Sequence, residues 1–359
     1  MKPINISVDY GTPRPPGLVP RIFRIIMGGL IIVIFLAVAI FGSMRIWLAR
    51  SKGDPGQPPT GYTSVNQIYA AILTGALPLI DRQPPIPPEI VLNEGIVYSK
   101  LNDMELKLDL YHPIALRRDR RRPLFVLIHG GGWKSGQRAD YRPHALRVAR
   151  AGYVVASLSY RLSGVAKFPA AVRDVNSALQ FLSDHADEYG IDPNRIVVMG
   201  GSAGGHLAMM AGYSKNEKFR PEVSSPSSVK YKIAAIFNFY GPCDLTSDFA
   251  KKVEVVRGFM GVDYQDNPEQ YEQASPLFDI SPDSPPTLIV HGTIDDIVPV
   301  DQSDMLASKL KESGVPVRYE RLSGWPHTLD LAEPMFEYLS GVILEEIRRA
   351  VGRVEDSVE

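Results

Sequence analysis

A mainly parallel α/β sheet with helices on both faces is the fold the sequence predicts, and three observations predict it. The first is alternation. Apolar runs at 124–128, 153–158, 196–199, 233–239 and 287–290 read as strands, and 317–321 supplies a further one. Stretches of helical period at 170–189, 305–312 and 335–350 separate or follow them. Several runs are apolar throughout, as strands buried on both faces are. The second is Gly200-Gly201-Ser202-Ala203-Gly204, a tight turn between the run 196–199 and an apolar helix start at 207–211. The third is His129-Gly130-Gly131-Gly132-Trp133, a glycine run at the end of an earlier strand.

The rest of the chain falls into place around this domain, which spans 90–350 and leaves 351–359 as a tail. Residues 1–24 carry many prolines and glycines without an apolar period and read as a disordered tail. Residues 25–44 are an uncharged apolar run, long enough as a helix to cross a bilayer core of about 30 Å. This predicts an N-terminal transmembrane helix, making the membrane a partner through residues 25–44. Ala37-Val38-Ala39 resembles a signal-peptide cleavage site, but the apolar run continues to Phe41, which favours an uncleaved single-pass anchor. The cations Lys2, Arg14, Arg21 and Arg24 precede it, against Arg45, Arg50 and Lys52 after it. That excess favours an N-terminus inside and a folded domain outside the cytoplasm.

Residues 45–89 read as a linker, with helical spacing at 65–80 that suits a packing helix, a cover over the site or a membrane-surface helix. Pro84-Pro85-Ile86-Pro87-Pro88 is a stiff spacer that marks the domain boundary. The residues at 96–99 and 105–111 form a pair of strands. The basic run Arg117–Arg122 is a solvated loop or, beside an anchor, a contact for anionic headgroups.

Composition excludes several functions. With 39 Lys and Arg against 40 Asp and Glu, the net charge of −1 argues against nucleic acid as the main partner. A single cysteine rules out an internal disulfide and any multi-cysteine metal site. Cys243 lies in Tyr-Gly-Pro-Cys-Asp-Leu without small flanking residues and reads as a buried thiol.

Strand, glycine-flanked serine and helix form a nucleophile elbow. The turn exposes the Ser202 Oγ at a helix N-terminus, where the dipole favours developing negative charge. Acyl transfer also needs N–H donors for the oxyanion of a tetrahedral intermediate. A glycine run offers them without side-chain obstruction, and the elbow adds the N–H of Ala203. The base follows by elimination. In this architecture the order is serine, acid, histidine, and of seven histidines only His206, His291 and His327 follow Ser202. His206 lies within the elbow helix and His291 ends a strand. His327 occupies a loop after the last strand, from which an imidazole reaches the sheet's carboxyl edge. His129 reads as a brace of the glycine loop. For the acid, spacing leaves Asp295 and Asp296 open, the second expected to support its loop or the helix after Pro299.

In this order and spacing, HGGGW, GGSAGGH, HGTIDDIVP and GWPHTLD resemble the α/β-hydrolase superfamily. More closely they are similar to the HGGG carboxylesterases, both the hormone-sensitive-lipase-like group and the branch of acetylxylan and feruloyl esterase-like proteins. The resemblance covers roughly 90–350. It implies Ser202 as nucleophile, Asp295 as orienting acid and His327 as base, with an oxyanion hole from the backbone of Gly131, Gly132 and Ala203. Gly201 departs from the lipase-like group, which usually has an acid there, and so favours the second branch. The N-terminal apolar run is typical of neither.

The function expected on these grounds is hydrolysis of short-acyl esters without metal or cofactor. Amidase, formamidase or methylesterase chemistry on the same fold is the alternative, and a non-enzymatic binding role is disfavoured by the filled triad. The insert 244–280 and the proline-rich 281–286 are expected to wall the pocket; Phe249, Phe259, Met260, Tyr264 and Tyr271 give the insert apolar surface, with core positions as the alternative for most of them.

Overall fold

The computed structural model describes residues 56–114, 121–221 and 231–354, together with Met27, Ile31, Gly42 and Ser43, which are helical. The rest of the apolar run 25–44, most of the basic run, the tail 1–24 and residues 355–359 lie outside the described residues. Among the described residues no helix is long and apolar enough to cross a membrane.

Eight strands form one sheet in the order β1-β2-β4-β3-β5-β6-β7-β8. They are β1 (Ile90–Leu101), β2 (Met104–Pro113), β3 (Arg122–Ile128), β4 (Val154–Leu158), β5 (Ile191–Gly201), β6 (Ile233–Phe239), β7 (Thr287–Gly292) and β8 (Val317–Leu322). The hairpin β1–β2 is antiparallel, β2 meets β4 antiparallel, and every pairing from β4 to β8 is parallel.

Among the described residues from 56 on, the α-helices are α1 (Val65–Leu73), α2 (Arg142–Arg150), α3 (Ala170–Asp184), α4 (Ala186–Tyr189), α5 (Ala203–Tyr213), α6 (Glu254–Met260), α7 (Pro268–Gln273), α8 (Asp301–Glu312) and α9 (Glu333–Val351). The single helix read at 170–189 is thus two, broken at His185. The pleat sends alternate residues of β3 to opposite faces. Leu124, Val126 and Ile128 meet α3 and α5, whereas Phe125 and Leu127 meet α2 and α9. Burying both faces explains the uninterrupted apolar runs.

Parallel strands end at the same edge, so the turns after β3, β5, β6, β7 and β8 gather there. From Gly56 onward, the stretch read as a linker also packs on this edge. Tyr62 donates its N–H to the Gly324 carbonyl at 2.8 Å and meets Trp325 edge-on, and Leu79 bridges Ala332. The helix read at 65–80 stops at Leu73, where Thr74 caps it. Its Ile68 and Ala71 are buried, while Tyr69 and Leu73 are exposed. The turn at 74–77 then brings Leu77 into the core by a route that helical spacing does not describe.

Trp325 ties this strap to the loop of His327. It is 1% exposed, and its Nε1 donates to the Pro59 carbonyl at 2.9 Å. Trp325→Ala is expected to lower the unfolding free energy by about 3–5 kcal/mol, the usual effect of deleting a large buried aromatic side chain, measured by denaturant titration.

Candidate active site

The elbow is built by strain held in place. Ser202 has φ 55° and ψ −123°, a backbone state costly for a residue with a Cβ. It is held because the Ser202 N–H donates to the Phe239 carbonyl at 2.8 Å and its own carbonyl accepts from His206 at 3.1 Å. Among the described residues five non-glycines have positive φ, and four of them, Trp133, Ser202, Tyr240 and Thr328, line one cavity. Strain therefore concentrates at one place.

That cavity, of about 710 Å³, opens at the carboxyl edge of the sheet. Gly130, Gly131, Gly132, Ala203 and His327 also line it. Gly131 and Gly132 both have positive φ, at 100° and 59°, which glycine adopts without penalty. The Gly131 carbonyl accepts from Lys134 at 3.1 Å and Ser135 at 3.0 Å. In a planar trans peptide the following N–H, that of Gly132, points the opposite way. Ala203 opens α5, whose first N–H groups have no partner within the helix.

His327 Nδ1 lies 2.6 Å from Asp295 Oδ2, so Nδ1–H donates to the acid and Nε2 is left for the cavity side. The same Oδ2 receives His291 Nε2 at 3.1 Å, while Oδ1 accepts the N–H of Ile297 at 2.9 Å and of Val298 at 2.8 Å. Burial alone would push the Asp295 carboxyl up. The hydrogen bonds from His291 and His327, the charge of His327 and the Val298 amide outweigh it and hold the group well below the usual carboxylate range.

Asp296 does not share this work. Its side chain is exposed, without a partner among the described residues, and the first turn of α8 holds Asp301 and Asp304 instead. The loop support expected of Asp296 belongs to Asp295, whose Oδ1 takes both amides.

The other histidines are structural. His129 stacks on Tyr160 at 4.3 Å and its Nδ1 lies 2.9 Å from the Gly130 carbonyl. His206 is fully buried. Its Nδ1 accepts from Trp133 Nε1 at 3.3 Å, so its Nε2–H donates to the Ala274 carbonyl at 2.8 Å. Cys243 is buried, its thiol donating to the Gln302 carbonyl at 3.0 Å, and burial pushes that thiol far up.

The insert divides as its residues allow, part wall and mostly core, while 281–286 departs from the sequence reading. Phe249 does line the cavity, but Phe259, Met260 and Tyr271 are core, and Tyr264 packs behind them. Val253, Val255 and Val256, from the same insert, join Phe249 in the wall. Residues 281–286 precede β7 and lie at the opposite, amino edge of the sheet, so they cannot reach the cavity. Ile80 and Arg82, from the strap, complete the wall. Tyr141, His144, Tyr240 and Asp330 line it as well; Asp330 closes the GWPHTLD motif, which gave it no role, and nothing in the local sequence marks the other three.

The BD-FAE family model matches residues 108–310. The chain belongs to the BD-FAE family. Its α/β-hydrolase fold is shared with esterase 2 of Thermogutta terrifontis in its propionate-bound form, at 26% identity and a TM-score of 0.64, covering 77% of this chain and 100% of that one. The same enzyme phosphorylated by paraoxon aligns at 25% identity and a TM-score of 0.63, over the same shares. Among curated relatives, Esterase LipQ of Mycobacterium tuberculosis is 32% identical over 234 residues, 63% of this chain and 54% of the relative. A probable isoprenylcysteine alpha-carbonyl methylesterase of Arabidopsis thaliana, ICMEL1, is 29% identical over 283 residues, 74% of this chain and 58% of the relative. The chain spans about half the length of the curated relatives it matches.

Within this BD-FAE domain the buried His206 makes the fold acid-sensitive. Burial pushes its pKa from 6.5 down to about 4. Below about pH 6.5 the unfolded chain gains a proton that the native state refuses, so stability present above that pH is lost on the way to pH 4. Unfolding free energy is expected to fall by about 2 kcal/mol from this group between pH 7.5 and 5, and His206→Gln to remove that share of the slope in paired denaturant titrations.

Proposed function

We propose that the protein is a serine carboxylesterase that cleaves short-acyl esters through an acyl-enzyme. The observation that carries this reading is the 2.6 Å pair of His327 and Asp295, with His327 and the strained Ser202 on one cavity. Ser202 Oγ attacks the ester carbonyl while His327 Nε2 takes its proton. The Asp295 carboxylate holds the tautomer and offsets the imidazolium charge. The N–H groups of Gly131, Gly132 and Ala203 receive the oxyanion. The alcohol leaves with the proton from His327, and water repeats the sequence to free the acid. No metal or cofactor enters this route. The relatives named as esterases and the neighbour phosphorylated by paraoxon support the same reading.

The cavity, walled by Val253, Val255, Val256 and Phe249, favours a small acyl group. A second reading, methylesterase action on an apolar or membrane-held ester, is favoured by the likeness to ICMEL1 and by the apolar run 25–44. In both readings that run acts as a single-pass anchor, with the domain outside the cytoplasm.

Four outcomes are expected. On p-nitrophenyl esters, acetate and butyrate outrun chains of ten or more carbons. A fluorophosphonate probe labels wild type but not Ser202→Ala. Asp295→Asn lowers kcat on the order of 10⁴-fold, the scale of a triad acid, while exposed Asp296→Asn stays within about twofold. A large loss at Asp296 with a small one at Asp295 reverses the assignment. Separately, the full chain resists extraction from membranes by carbonate; release into the supernatant excludes the anchor.

A further inference from the structure

Asp330 is an acid that the triad does not use. It comes three residues after His327, is 2% exposed and lines the same cavity. Tyr240 Oη donates to its Oδ1. His144 Nε2 is 3.6 Å from Oδ2, too long for a hydrogen bond, and is buried with no other partner among the described residues. Among the described residues His144 is the only basic group within ion-pair distance of Asp330. Burial, opposed by the charge of Asp330, holds His144 below its ordinary value, so it supplies no counter-charge at neutral pH. A buried carboxylate with one hydrogen bond and no ion-pair partner destabilises a fold unless something else meets its charge.

Its neighbours point to what does. The ring of Tyr240 packs against that of His327, with centroids 4.6 Å apart. Tyr240 itself is strained, at φ 42°, and its N–H donates to the Val290 carbonyl at 2.7 Å. The hydroxyls of Tyr141 and Tyr240 both lie over Gly201, the residue before Ser202. A Cβ there would collide with Tyr141 Oη and come within 2.9 Å of Tyr240 Oη. Burial, then the charge of Asp330, pushes both phenols well above their ordinary range, so both remain donors. Two phenols and one acid thus bridge the elbow and the histidine loop, and only glycine at 201 leaves room for them.

We infer that Asp330 is a second buried acid of this site, a positioning residue that fixes the His327 loop to the elbow through Tyr240 and Tyr141 and offsets the imidazolium charge. The inference rests on the esterase reading. When His327 takes the Ser202 proton, the reaction creates a positive charge beside Tyr240, and the Asp330 charge stabilises it in the transition state. Asparagine at 330 keeps an acceptor for Tyr240 but removes the charge, so the two roles separate.

The charged groups that face His327 and Asp330 are Asp295, the Arg82–Asp140 pair at 3.2 Å, the exposed Asp296 and Arg147 beside His144. None changes in the variants. A negative charge near an imidazole favours its protonated form, so removing it disfavours every step that forms the imidazolium. In the full chain, on p-nitrophenyl acetate, Asp330→Asn is expected to lower kcat roughly tenfold or more with KM within about threefold. It should also move the acid limb of kcat/KM down by roughly half a pH unit or more. Wild-type kcat with the limb in place overturns the inference. So does a loss of kcat without the shift, which leaves Asp330 a purely structural role. If Asp330→Asn does not fold, Tyr240→Phe decides: a several-fold loss of kcat in a folded protein supports the bridge, and unchanged kcat overturns it. Wild type is the reference throughout. Loss confined to the variants is read on the bridge, whereas absence of hydrolysis and of fluorophosphonate labelling in wild type removes the esterase reading and this inference with it.

Discussion

The carboxylate of Asp295 is the interaction on which the site depends. It is buried, and a buried anion must be met by donors. Four meet it: two imidazoles on Oδ2 and two backbone amides on Oδ1. Each donor fixes a different piece of chain. The amides of Ile297 and Val298 curl the loop after β7. His291 is held at its other nitrogen by Ser303 of α8, 2.7 Å away, so the loop is pinned to that helix. His327 brings in the loop after β8. One acid thereby joins β7, α8 and the last loop, and the imidazole it orients is the one facing the cavity.

The sheet makes such convergence inexpensive. In a parallel arrangement, each strand end delivers a loop to the same edge, and the strands are too well paired to shift. The strained residues Trp133, Ser202, Tyr240 and Thr328 follow the ends of β3, β5, β6 and β8. Strain at each is sustained by a rigid strand behind it and by contacts across the cavity. The strap from Gly56 closes the remaining side, through Trp325 and the Leu79 bridge. It places Ile80 and Arg82 in the wall, which ties the stretch before the domain to the shape of the pocket.

Much of this was legible beforehand because its causes are local. A tight turn that forces a strained serine needs small flanking residues, so G-x-S-x-G states its own conformation. Strands buried on both faces must be apolar throughout, so β3 to β7 appear as runs. The order of serine, acid and histidine follows from strand order alone. The end of α1 was not legible, because Tyr69, Leu73 and Leu77 share a helical stripe. Only packing on Trp325 and the turn after Leu73 divide them between solvent and core. The same holds for the insert. Phe259 and Tyr271 have the apolar bulk of pocket residues, but α6 and α7 turn them inward, and smaller valines face the cavity.

By itself, then, the sequence determined the sheet, the elbow, the glycine loop and the histidine that follows the last strand, since each depends on neighbours in the chain. Spacing left Asp295 and Asp296 open and the resemblance named Asp295; only the tertiary structure supplies the physical reason. Adjacent side chains on a loop point apart, and their directions are set by His291 and His327, 4 and 32 residues from Asp295. Asp330, Tyr240 and Tyr141 lie on three separate segments, and although Asp330 closes GWPHTLD, that motif says nothing of the two phenols. That the two phenols meet over Gly201 and Tyr240 reaches Asp330 is a consequence of how the strand ends converge, which no local pattern encodes.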